Sequence, residues 1–278
     1  MPITIGGSAS YRIANNIART YNKVDANISH ISSGLRASRL GEDVVTLSTG
    51  NMIKSDMSVL NQGIRNANDG ISLLHTVDGV SQVIGNMLIR LKELAEQAAT
   101  GTFSDELRKI LNEDFQQTLE SITQAAKSCQ FNGITLIDGS TDFIKIHYGM
   151  ENSNLKDYLE IKGQDFTADG LGVGALQILF QDDAQKALNV IDNAIIDLNT
   201  NRAHFGATMN RLEHTISTQG NNVELLYGHD ADVSDTDIAN EYSDLTLNAV
   251  KAQAALVALN SVNMTPHKAL SVLSGKSV

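Results

Sequence analysis

Proline is nearly missing. The 278 residues contain only Pro2 and Pro266, where ordinary usage of about 5% would give more than a dozen. From Ile3 to Thr265 no residue lacks a backbone donor or clashes with a helical turn. Long helices are therefore permitted almost throughout. Tryptophan is absent and aromatics make up 5% of the chain, so a core has to come from Leu, Ile, Val, Ala and Met. Cys129 is the single cysteine. That excludes an intramolecular disulfide and a cysteine-based zinc site, and its place on an apolar spacing suits a buried thiol. The N-terminal "MPITIGGSASYRIANNI" has no secretory apolar core. The most apolar run, "AVKAQAALVALNSV", is too short and too polar to span a bilayer.

Net charge is -11, unevenly spread. Residues 1–40 carry +4 and residues 245–278 carry +3, which leaves -18 for the middle. The basic residues are dispersed along apolar helices and no aromatic-basic interleaving occurs, so neither nucleic acid nor a membrane is expected as a partner.

Heptads dominate. Ile17, Tyr21, Val24, Ile28, Ile31 and Leu35 step by four and three, as in a coiled-coil seam. Ile53, Met57, Leu60, Ile64, Ala67, Ile71 and Leu74 repeat the rhythm. After a phase slip at Gly79 it continues through Val80, Ile84, Met87, Leu91, Leu94 and Ala98. Ser104 or Thr102 can cap the following helix, whose inner face reads Leu107, Leu111, Phe115, Thr118, Ile122 and Ala125. The longest helix is expected from Asp182 or Asp183, with a seam from Leu188 to Leu226 and an interruption at Gly228. A final seam of Ile238, Tyr242, Leu245, Ala249, Ala252, Leu256 and Leu259 mirrors the first. Between 132 and 180 the period changes, and "DFIKIHYG" and "DYLEIKG" read as short hairpin strands. The expected fold is mainly α: an elongated rod of long coiled-coil-like helices with a small β-hairpin region. The terminal helices pair with each other and the inner helices form a bundle. From Ala249 to Val262 only Lys251 is charged, and a helix apolar all round has to be buried all round. The terminal pair should therefore pack against copies of itself.

Chemistry is scarce. HExxH, GxSxG and Walker motifs are absent. "DGLGVGA" reads as a turn. Asp230, Asp232, Ser234 and Glu241 match four positions of a calcium loop, but Asp235 stands where that loop needs glycine. No catalytic residue, cofactor or metal is expected, and the chain reads as a non-enzyme.

Several motifs in order resemble bacterial flagellin. "ISSGLR" at 31–36 is similar to the family's (L/I)SSGLRINSAADDAAG stretch. "RNANDGIS" at 65–72 and "LKELAEQAATGTFSDE" at 91–106 resemble its next signature. "QFNGITLI" at 130–137 follows, and "FGATMNRLEHTI" at 205–216 is close to LGAxQNRLEHTI. "NMTPHKALSVL" keeps Asn263, Pro266, Leu270 and Leu273 of the terminal pattern.

The resemblance implies a structural subunit of the extracellular flagellar filament, secreted by type III export and used for swimming. The hook–filament junction protein shares the terminal helices and is the alternative, although "QFNG" and "NRLEHTI" favour the filament. Residues 1–42 with 236–278 would form the inner D0 domain. Residues 43–235, with the hairpin region at about 132–180, would form D1, without outer D2 or D3 domains. Ile17, Tyr21, Val24, Ile28, Ile31, Leu35, Leu245, Leu256, Leu259, Leu270 and Leu273 would serve assembly. Gly34, Arg36, Arg39, Glu42 and Asp43 would form a spoke between the layers. Val44-Val45-Thr46 stands where relatives keep small residues. Implied partners are further copies of the chain, an export chaperone, hook-associated and cap proteins, and a Toll-like receptor of the host. The family's receptor contacts are an Arg, a Leu and a Glu; Arg90 and Leu94 match the first two, and the acid falls at Asp114.

Overall fold

The computed structural model describes residues 7–37, 41, 43–150 and 157–273, with side chains described over 10–264 of these. The described helices are α1 (Gly7–Ser33), α2 (Val44–Ala99), α3 (Asp105–Ser128), α4 (Gln181–Ser234) and α5 (Ile238–Leu273). The strands are β1 (Gln130–Phe131), β2 (Ile134–Thr135), β3 (Phe143–His147) and β4 (Tyr158–Lys162). They form two antiparallel hairpins, β1 with β2 and β3 with β4. The chain divides into two compact units, 56–224 and 1–55 with 225–278.

In the unit 56–224, α2 presents one unbroken buried stripe. Leu60, Ala67, Leu74, Val77, Ser81, Ile84, Leu88, Leu91, Ala95 and Ala98 are all buried. No phase slip occurs at Gly79, because Ser81 takes the inner position expected of an apolar residue. Its hydroxyl donates to the Val77 carbonyl at 2.7 Å, so the helix satisfies the group itself. At 56 residues α2 also exceeds the 54 of α4, contrary to the expected order. Gly228 does not interrupt α4, which continues to Ser234.

Helix α3 starts where capping chemistry puts it. Ser104 accepts from the Leu107 amide, and Asp105 and Glu106 lie in the first turn. Its inner face differs from the expectation at one end: Leu107 is exposed and Arg108 is buried. The Arg108 guanidinium turns back to the end of α2. Nε donates to the Ala98 carbonyl at 2.9 Å and Nη2 to the Thr100 carbonyl at 3.1 Å. Nη1 meets Asp105 Oδ1 at 2.8 Å. The carbonyls a helix leaves unpaired at its C-terminus thus receive a charged donor from the next helix.

The β3–β4 hairpin lies on α2 where α2 has no side chains. Gly63 and Gly70, one heptad apart, are buried beneath it. A Cβ on Gly63 would sit 2.3 Å from the Tyr148 carbonyl oxygen. Asn66 between them donates to the His147 carbonyl at 2.9 Å. β1 and β2 join through Asn132 and Gly133, both with positive φ, an Asn-Gly turn of the kind tight hairpins favour. The "DGLGVGA" loop is a plug: Val173 is fully buried, and the Gly174 amide donates to the Ala168 carbonyl. Phe166 packs edge-on against Phe205 of α4, with ring centroids 6.3 Å apart. Cys129 is buried in the same core, and burial raises its thiol pKa.

Candidate assembly surfaces

In the unit 1–55 with 225–278, α1 and α5 pack along each other. They run antiparallel, since Ser10 reaches Asn263 while Asn27 reaches Glu241 and Asn248. The facing stripe on α1 is Ile13, Ile17, Thr20, Val24, Asn27 and Ile31. On α5 it is Glu241, Leu245, Asn248, Ala252, Ala255 and Leu259. Of the expected seam, Ile17, Val24, Ile31, Leu35, Leu245 and Leu259 are half-buried. Tyr21, Ile28 and Leu256 are exposed, which corrects their placement between the two helices. One partner helix covers one stripe, and a second apolar flank stays open. Tyr11, Tyr242, Leu247, Val250 and Val257 are further exposed apolar side chains, spread around the rest of the two helices. Leu270 and Leu273 lie in α5, but their side chains fall outside the described residues.

Polar residues that sequence patterning passed over sit inside the seam. Asn27 is buried. Its Nδ2 donates to Glu241 Oε1 at 2.6 Å, and its Oδ1 accepts from Asn248 Nδ2 at 3.1 Å. His30 Nδ1 lies 2.9 Å from the same Glu241 oxygen. An asparagine at an inner heptad position was the available signal.

The turn out of α1 is built from backbone. Gly34 has φ +72° and donates to the His30 carbonyl at 2.8 Å, closing the helix as glycine does. The segment after it pairs with the exit of α4. The Arg36 amide donates to the Ser234 carbonyl at 2.8 Å, and the Thr236 amide donates to the Gly34 carbonyl at 2.9 Å. Leu35 and Asp235 form an antiparallel bridge. Nearby, Asp230 accepts from the Ser234 hydroxyl at 2.9 Å and faces Lys54 at 3.8 Å.

Asp43, expected to contact neighbours, is used locally. Its carboxylate accepts from the Val45 and Thr46 amides at 3.1 Å each and from the Thr46 hydroxyl at 2.7 Å. These bonds, the Thr46 hydroxyl first, hold its pKa below the ordinary value. It is the N-cap of α2. Arg36 is exposed, whereas Arg39 and Glu42 lie outside the described residues. Val44 and Val45 begin α2 at 63% and 75% exposure.

The remaining candidates separate. Arg90 Nη2 meets Asp114 Oδ2 at 3.0 Å across α2 and α3, and both side chains are half-exposed. Leu94 is 1% exposed, which corrects its reading as a surface contact: it belongs to the inner stripe of α2. The four calcium-loop positions are also spread apart. Asp230, Asp232 and Ser234 lie in the last turns of α4, while Glu241 lies in the α1–α5 seam. Asp237 caps α5 through the Ala239 and Asn240 amides. Among the described residues no group of His, Cys, Asp and Glu is arranged to hold a metal ion. No described helix is long and apolar enough to cross a membrane.

Paired terminal helices, an inner bundle and an unspent apolar flank define a mainly α-helical structural protein. Comparison with known proteins sharpens this. The model of the bacterial flagellin N-terminal helical region matches residues 8–142, and that of the C-terminal helical region matches residues 188–273. A flagellin of Halalkalibacterium halodurans is 31% identical over 93% of this chain and 94% of its own length. A flagellar filament 31.3 kDa core protein of Treponema maltophilum is 29% identical over 97% of this chain and 99% of its own length. The crystal structure of Bacillus cereus flagellin superimposes with a TM-score of 0.50 at 30% identity, covering 56% of this chain and 88% of that one. The chain belongs to the bacterial flagellin family, and it lacks the large outer domains. A flagellar hook-associated protein of Vibrio parahaemolyticus shares the fold, with a TM-score of 0.57 at 13% identity.

Proposed function

We infer that this chain is a structural subunit that polymerises into the extracellular flagellar filament and serves swimming motility. The observation that carries this reading is the apolar surface left open on the α1–α5 pair. Tyr21, Ile28, Leu247, Val250, Leu256 and Val257 are all exposed in one chain, too much for a helix pair that stays alone in water. Further copies of the same pair supply matching apolar flanks. On this reading residues 1–42 with 236–278 form the inner D0 layer, and residues 43–235 form D1. Gly34, Arg36, Arg39, Glu42 and Asp43 are the spoke between them, with Gly34 and Asp43 ending one helix and starting the next. The filament assignment is preferred to the hook–filament junction because relatives about 30% identical over nearly the whole chain are flagellins and filament core proteins. Type III export, an export chaperone, and hook-associated and cap proteins as assembly partners come with it.

The test is electron microscopy of the purified full chain after salting out. Smooth thin filaments support the reading, and their absence under every precipitating condition refutes it. Chains lacking 1–35 or 250–278 should keep helical signal and form no filaments.

Recognition by a host Toll-like receptor is a narrower proposal. Arg90 and Asp114 are half-exposed side by side, but they neutralise each other, and Leu94 is buried. Sensing should be detectable and weak. A reporter-cell assay silent at every dose of monomer would exclude it.

A further inference from the structure

Apolar contact does not choose how far α1 and α5 overlap. The α1 stripe repeats every seven residues, and four of the six facing positions of α5 are small or apolar: Leu245, Ala252, Ala255 and Leu259. A slip of one heptad that carries Ala255 to the place of Asn248 would keep Ile17 and Val24 on apolar ground, over Ala255, Leu259 and Val262. It would also displace one helix along the other by about 10 Å, seven residues at about 1.5 Å each.

We propose that the part-buried cluster of Asn27, His30, Glu241 and Asn248, together with the backbone rung at Leu35 and Asp235, fixes the register in which the terminal helices pair. Asn27 uses both ends of its amide. The nitrogen donates to Glu241 and the oxygen accepts from Asn248, residues one heptad apart on α5. His30, nearly a turn further along α1, reaches the same Glu241 oxygen. Sliding α5 one heptad in one direction brings Ala255 to the place of Asn248 and Asn248 to the place of Glu241. The Asn27 carbonyl then has no donor, and His30 has lost its carboxylate. Sliding the other way brings Glu241 against the Asn27 carbonyl, acceptor against acceptor. It also brings Ser234, the last residue of α4, to the place of Glu241, with the break at 235–237 falling inside the pair. A buried amide left without partners costs more than a slightly poorer apolar contact. A single polar residue at an inner heptad position is the best-attested use of such groups. Ser10 and Asn263, hydrogen-bonded at 3.1 Å, mark the same register towards the other end of the pair.

The proposal rests on the filament reading for its purpose, since every subunit of a helical lattice needs an arm of one length. Its test does not rest on it. Two cysteine pairs are introduced into the full chain carrying Cys129→Ser: Ser10→Cys with Asn263→Cys for the observed register, and Ser10→Cys with Leu270→Cys for the one-heptad slip that carries Ala255 to the place of Asn248. Each is oxidised, both unassembled and after salting out, and the intramolecular disulfide is scored on non-reducing gels. With Asn27 in place the slipped pair should close at least about ten-fold more slowly than the observed one. Asn27→Leu should narrow that difference several-fold. Asn248→Leu is read the same way where the helical signal of Asn27→Leu falls. An unchanged preference for the observed pair in both variants overturns the proposal, whether or not those variants polymerise. Filaments absent from every chain, with the preference narrowed in the variants, would refute the filament reading and leave the register device standing.

Discussion

Replacing Gly63 with alanine should destabilise this protein, although Gly63 lies in the interior of a long helix. In an open helix the change is favourable by about 1 kcal/mol, because glycine loses more backbone entropy than alanine. Here the new methyl would lie 2.3 Å from the Tyr148 carbonyl oxygen, 2.8 Å from its carbon and 2.9 Å from its Cα. These are backbone atoms, and they are held. The Tyr148 amide donates to the Asp157 carbonyl at 2.8 Å, and the neighbouring His147 carbonyl accepts from Asn66 at 2.9 Å. The hairpin has to move away from α2, which is an overpacking cost of about 1–3 kcal/mol or somewhat more. The net effect is a loss of up to about 2 kcal/mol after the propensity gain. Gly79 on the same helix is the internal control, since nothing lies within 4 Å of the Cβ it would acquire. Gly79→Ala should gain up to about 1 kcal/mol. At about 2–4 °C per kcal/mol for a domain of this size, the two variants should melt about 2–12 °C apart. Thermal unfolding of the full chain, followed by circular dichroism at 222 nm with urea titration alongside, measures the difference. A Gly63→Ala protein as stable as Gly79→Ala would refute the close approach of hairpin and helix.

Three other perturbations have defined outcomes. Arg108→Met keeps the apolar stem but leaves the Ala98 and Thr100 carbonyls without their donor, and should lower unfolding free energy by about 2–3 kcal/mol in urea titration; a loss within error would mean that water replaces the guanidinium. Leu256→Asp places a charge on the open flank of the α1–α5 pair, so the unassembled chain should keep its helical signal and its solubility while losing filaments after salting out. Filaments of ordinary abundance would show that this flank faces solvent in the polymer. The depressed pKa of Asp43 fixes a sign: its support for the first turn of α2 is fully present above the ordinary value of 3.8 and is lost as pH falls through the lower folded value. Pepsin cleavage near Val44–Leu47 should therefore be faster in Asp43→Ala than in the parent around pH 4, with the ratio falling as pH drops further. A ratio independent of pH would sink the cap.

Much of the architecture was legible because apolar side chains recur at three and four along α2, α3 and α4, and that spacing has one physical reading. What escaped was whatever fills an inner position without being apolar. Ser81 is buried because its hydroxyl bonds back to its own helix, and Arg108 because two helix-end carbonyls need a donor. Hydropathy ranks both as surface residues. Gly79 looked like a phase slip and Gly228 like a break, yet each lies inside a continuous helix; glycine lowers helix stability without forbidding it, and tertiary packing decides. The Asn132-Gly133 turn between β1 and β2 was readable and went unread. For the candidate site, heptad counting found the stripe of Ile17, Val24, Ile31, Leu245 and Leu259 but over-assigned Tyr21, Ile28 and Leu256, because a seam written for several helices meets only one partner within a single chain. The Asn27 cluster was invisible to a search for apolar repeats. Leu94 was claimed by both the inner stripe and a motif match, and burial decides for the stripe.

The backbone bridge between Leu35 and Asp235 has a mechanical consequence. Two amides, Arg36 to Ser234 and Thr236 to Gly34, tie the strand leaving α1 to the strand entering α5. The two strands run antiparallel, so tension along α1 loads these bonds in shear and passes to the α5 side within one residue. Neither strand stretches alone. A subunit in a rotating filament would carry twist through this rung as a two-ply cord carries it.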